Sequence, residues 1–100
     1  MIISNSFRKF YFGGIIRDIK LKLDFILWNG IKFNIKPFNS QEVHEILKIL
    51  VGKEKSLRDM NNKEVVQLIE DIRLLIAENR VVLEVDNDEW ERLIKELDVQ

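Results

Sequence analysis

The chain has 100 residues, of which 46% are hydrophobic and 33% charged, with a formal net charge of −1 and no cysteine. This is the balance of one globular domain spanning 1–100, with one core and only shallow surface sites. The missing cysteines exclude disulfides, thiolate chemistry and cysteine-ligated metals, and they fit a reducing, cytoplasmic setting.

No apolar run approaches the ~20 residues of a membrane span. Arg8 and Lys9 precede the run Phe10–Ile16, but two glycines interrupt it and Arg17 and Asp18 follow at once, so it makes a poor signal peptide. Charge is unevenly placed. Residues 1–36 carry seven basic and two acidic side chains, whereas 61–100 carry five basic and eleven acidic ones. Fourteen isoleucines against one alanine suggest an AT-rich genome, a class that includes viruses and phages.

In chain order, residues 1–6 are expected to fray. Phe7–Phe12 is a candidate strand that returns through Gly13-Gly14. From Ile19 the pattern alternates. Ile19, Leu21, Leu23, Phe25 and Leu27 are apolar and Lys20, Lys22 and Asp24 polar; beyond the turn, Ile31, Phe33 and Ile35 alternate with Lys32, Asn34 and Lys36. This predicts an antiparallel pair over 19–27 and 31–36 with one apolar face. A two-residue Asn29-Gly30 loop would set Trp28 opposite Ile31 and Leu27 opposite Lys32. A three-residue loop, 28–30, sets Leu27 opposite Ile31, Phe25 opposite Phe33 and Leu23 opposite Ile35. Register follows the buried face, so the three-residue loop is predicted, with Gly30 left-handed.

Three helices follow, about 40–51, 62–79 and 87–97, each opened by an Asn or Asp with a Glu three residues on: Asn39 and Glu42, Asn61 and Glu64, Asp86 and Glu89. These are capping boxes flanked by apolar staples. The buried stripes are Val43, Ile46, Leu47 and Leu50, then Val65, Leu68, Ile69, Ile72, Leu75 and Ile76, then Trp90, Leu93, Ile94 and Leu97. Gly52 stops the first helix and Asn79 the second. Val81, Leu83 and Val85 alternate, predicting a short strand at 81–85. The expected fold is α+β in two layers: an antiparallel sheet of three or four strands covered on one face by three helices.

Catalytic groupings are scarce. The four glycines form no phosphate loop, and no nucleophile elbow or kinase signature is present. His44 is the only histidine and falls at the edge of its helix's apolar stripe, where a solvated surface role is expected. An EF-hand loop from Asp86 would need Gly where Glu91 stands and Glu where Leu97 stands. Glu84, Asp86 and Asp88 therefore suit a helix N-terminus better than a metal-dependent hydrolase. No cofactor is implied and no metal site is assigned.

The reading that remains is a non-enzymatic protein-binding or accessory module. Its candidate contacts are Trp28 at the hairpin tip and Arg8, Lys9 and Tyr11 in the cationic, aromatic N-terminal stretch. The alternative is a nucleic-acid-binding protein that uses the basic 1–36 face through Lys20, Lys22, Lys32 and Lys36. A homodimer with the 62–79 helix at the interface is compatible with both.

Overall fold

The computed structural model describes residues 5–83 and 87–99. It is α+β, with a helical layer around one two-stranded antiparallel sheet. The sheet predicted with three or four strands is thus a hairpin alone among the described residues.

The N-terminal stretch is helical. α1 (Asn5–Phe10), a π-helical segment (Tyr11–Ile16) and α2 (Arg17–Lys22) run on without a break, since Phe10, Ile16 and Arg17 at the junctions keep helical φ and ψ. The strand expected at 7–12, the fraying expected at Asn5 and Ser6, and the strand expected from Ile19 are all replaced by this helix. The buried positions are Phe7, Phe10, Tyr11, Ile15, Ile16 and Ile19. On an unbroken α-helix at ~100° per residue these six would spread over roughly two thirds of the circumference. The wider π-turn, closed by i→i+5 bonds, brings Ile15, Ile16 and Ile19 back beneath the first three. Gly13 and Gly14, both exposed and both poor α-helix formers, occupy the widened turn. Leu21 in α2 is left exposed, and the helix ends where Leu23 turns extended and donates its N–H to Ile19 O.

β1 (Phe25–Trp28) pairs antiparallel with β2 (Ile31–Asn34), with Trp28 opposite Ile31, Leu27 opposite Lys32, Ile26 opposite Phe33 and Phe25 opposite Asn34. This is the two-residue register, and it overturns the predicted three-residue loop. Asn29 and Gly30 have φ of 49° and 77°, the left-handed pair that a type I′ turn requires. Turn chemistry therefore decides the register. Ile26, Trp28 and Phe33 face the core, while Phe25 and Leu27 face out.

α3 (Ser40–Leu50), a 3₁₀ turn (Leu57–Asp59), α4 (Asn62–Glu78) and α5 (Asn87–Val99) complete the chain. Both Asn39 with Glu42 and Asn61 with Glu64 make reciprocal capping boxes, as their spacing predicts. The third expected cap, Asp86, lies outside the described residues. The α4 stripe is buried throughout, and Trp90 and Leu93 of α5 are buried beside it. Trp90 stacks on Phe10 with ring centroids 5.4 Å apart and planes within 5°, joining α5 to α1. Of the strand predicted at 81–85, Val81, Val82 and Leu83 form no ladder, and 84–85 lie outside the described residues.

Asn79 fixes the hairpin to α4. Its Oδ1 accepts the Leu27 N–H at 2.8 Å, and its Nδ2 donates to Leu27 O at 3.2 Å and to Leu75 O at 3.0 Å. One side-chain amide thus imitates a neighbouring strand at Leu27 while closing the last turn of α4. Replacing Asn79 by Ala should cost about 1–2 kcal/mol in denaturant unfolding. Asn79→Asp, which keeps the acceptor but loses both donated bonds, should cost a comparable amount; two variants as stable as the parent would show that the clamp contributes nothing.

Candidate functional site

The structure separates the residues expected to share a site. Arg8 and Lys9 are exposed on α1, but Tyr11, two residues on, is fully buried and offers no contact surface. Phe7 and Phe10 are buried as well, so the ring-and-cation pattern of this stretch records a core-facing helix with charges outside. Trp28 is half-buried and turned inward, its ring 6.3 Å from that of Phe33 and edge-on to it. It contributes one wall of a shallow hollow with Val51 and Leu74.

The four lysines do not line one sheet face, because Lys20 and Lys22 belong to α2. Lys22 Nζ lies 3.2 Å from Asp18 and donates to Val82 O at 3.0 Å. Lys36 Nζ lies 3.9 Å from Asp24. Lys32 Nζ sits 4.4 Å above the centre of the Phe25 ring, a cation–π contact on the outer hairpin face. Glu84 and Asp86 lie outside the described residues, and Asp88 is exposed in the first turn of α5. Among the described residues no three His, Asp or Glu side chains are placed to hold a metal ion. No described helix is long and apolar enough to cross a membrane.

Two arrangements have the character of a site. The first is the outer hairpin face. Phe25 and Leu27, on one side of β1, are 37% and 50% exposed. They border a groove of about 410 Å³ between β1 and the end of α4, whose rim carries Lys22 and Arg80 as well as Asp24 and Glu78. The groove therefore has an apolar wall and a rim of both charges.

The second is a polar cluster inside the molecule. His44 is 1% exposed, which corrects its expected place on the surface. Its helix is covered on that side by the π-helical segment, which brings Tyr11 and Phe12 edge-on to the imidazole. The Tyr11 hydroxyl and His44 Nδ1 form a hydrogen bond, in which the phenol can donate to a bare Nδ1 or accept from Nδ1–H according to the imidazole tautomer. Glu45 stands 3.9 Å from Nε2 and 3.1 Å from Nζ of the buried Lys48. Burial pushes the Tyr11 hydroxyl far above its usual range, with the Glu45 charge adding to the shift. Burial lowers the His44 pKa, partly offset by Glu45 and reinforced by Lys48. The pair thus stays neutral at neutral pH. Sequence reasoning missed it because position 44 falls one step off the apolar stripe and its partner is 33 residues away.

Comparison with known proteins returns no matching family model, curated protein or solved structure, so the site has to be read from its own chemistry.

Because the folded state holds His44 below its unfolded pKa of about 6.5, protons bind preferentially to the unfolded chain. The stability this linkage contributes is complete above about pH 6.5 and is lost as pH falls toward the depressed folded pKa, at no more than about 1.4 kcal/mol per pH unit. Glu64, held low by the Asn61 backbone N–H and by Lys55, acts only in the more acidic carboxylate range. Urea unfolding at pH 7.5 and 5.5 should therefore show a loss in the parent that is much smaller in His44→Gln; equal losses in both would refute the assignment. Tyr11→Phe, which strands Nδ1 without its partner, should cost about 1–3 kcal/mol at neutral pH in the same assay.

Proposed function

We propose that this chain is a non-enzymatic protein-binding module that takes its partner on the outer face of the hairpin. The observation that carries the reading is the pairing of Phe25 and Leu27, two large apolar side chains exposed together on the strand that borders the groove. A protein surface with an apolar side chain to insert and charges of both signs around it complements that groove. Trp28, turned toward Phe33, supports this face from behind.

The nucleic-acid alternative through the basic 1–36 region is the weaker reading. Base stacking needs open rings, and Phe7, Phe10 and Tyr11 are buried. The homodimer reading through 62–79 is also weaker, since the apolar stripe of α4 is used by the chain's own core.

The test is site-directed photo-crosslinking in the source cell. A crosslinking residue placed at Leu27 should give one discrete heavier adduct, whereas the same residue at the exposed Glu70 should not. Mass spectrometry of the adduct separates a foreign protein from a second copy of this chain. The double variant Phe25→Ser, Leu27→Ser should stay folded, since both side chains are partly exposed, and should weaken the complex at least about tenfold. No adduct at position 27, or equal adducts at both positions, would overturn the reading.

A further inference from the structure

We propose that the free edge of β2 pairs antiparallel with β2 of a second copy of this chain, about a two-fold axis at Phe33, so that two hairpins form one four-stranded sheet. This edge lies across the hairpin from the groove beside β1, which stays open in the pair.

The backbone says what kind of group belongs there. Lys32 and Asn34 stand opposite Leu27 and Phe25 at non-hydrogen-bonded positions, so their N–H and C=O groups point away from β1. The bond from Ile35 N to Asp24 O at 2.9 Å, one step along, fixes this phase. On the outer edge of β1 the matching groups of Leu27 are taken by the Asn79 amide. Among the described residues, the outward N–H and C=O of Lys32 and Asn34 have no hydrogen-bond partner. Unpaired donors and acceptors at strand spacing are matched by another strand. A lysine commonly guards such an edge, but the Lys32 ammonium is drawn back over the Phe25 ring of β1.

The side chains choose the register. With the two-fold at Lys32, that residue would stand opposite its own copy; with the two-fold at Asn34, it would stand opposite Lys36. Like charges directly opposite are destabilising. With the two-fold at Phe33, Lys32 stands opposite the neutral Asn34 of the second copy, and each such pair exchanges both of its N–H···O bonds. On the inner face the half-buried Phe33 then meets its own copy, and Ile31, 53% exposed, lies diagonal to that ring. The apolar surface that β2 leaves in water is covered by the same surface of the other copy, as an isologous contact requires.

The test is sedimentation equilibrium of the purified full chain from about 10 µM to about 1 mM, the range in which so short an interface should associate. A reversible monomer–dimer equilibrium is expected. Asn34→Pro removes an outward donor that β1 does not use, and should weaken the dimer at least about tenfold while the monomer stays folded. Asn34→Lys, a change at an exposed position that sets lysines opposite each other, should weaken it several-fold. The chain has no cysteine, so single-cysteine variants report the register. Under mild oxidation Phe33→Cys should give a disulfide-linked dimer, because a non-hydrogen-bonded pair brings its Cα atoms to about 4.5 Å, whereas Lys32→Cys and Asn34→Cys should not. A chain that sediments as a monomer throughout, a dimer as tight in both Asn34 variants as in the parent, or faster crosslinking from position 32 or 34 than from 33 would overturn the proposal.

Discussion

Two left-handed residues, Asn29 and Gly30, decide how the hairpin lies on the protein. A type I′ turn matches the right-handed twist of its strands, and its two-residue length admits one register. That register puts Ile26 into the core and Phe25 and Leu27 outside. The Asn79 amide then bonds both backbone groups of Leu27, which pairs with Lys32 at a non-hydrogen-bonded position and so turns its N–H and C=O away from β2. The groove, its apolar wall and the cation over Phe25 all follow from the turn. A hairpin closed one residue later would face the other way and leave none of them.

The same dependence holds at the other end of the molecule. The π-turn decides which side of the N-terminal helix meets α3, and so brings the Tyr11 hydroxyl to His44. A buried imidazole left without that partner would carry an unsatisfied polar atom in the core. Here the packing of an apolar helix and the orientation of a polar ring are settled by one widened turn.

How much of this was legible in the sequence varied along the chain. The three later helices were, because Asn39 with Glu42 and Asn61 with Glu64 carry their capping chemistry in residue spacing, and the α4 stripe holds a period of 3.6 without interruption. The hairpin's existence was legible from its alternation and its Asn-Gly pair, but its facing was not. Phe25, Ile26, Leu27 and Trp28 are all apolar, so alternation is undefined across β1 and either face could have been the buried one. The N-terminal helix was hidden for a related reason. Its buried positions follow neither a strand period nor an α-helical one, because the π-turn inserts extra chain midway. Over Ile19, Leu21 and Leu23, a helix end followed by an extended residue imitates a strand. The Tyr11–His44 pair was illegible because the two residues are brought together only by the tertiary fold.

The stacking of Trp90 on Phe10 has a bearing on the order in which this protein can be completed. During synthesis α1 leaves the ribosome well before α5, which supplies the ring that covers Phe10. Until α5 is released, α1 carries an uncovered aromatic surface. Its final packing therefore waits on the whole stretch of chain that separates Phe10 from Trp90.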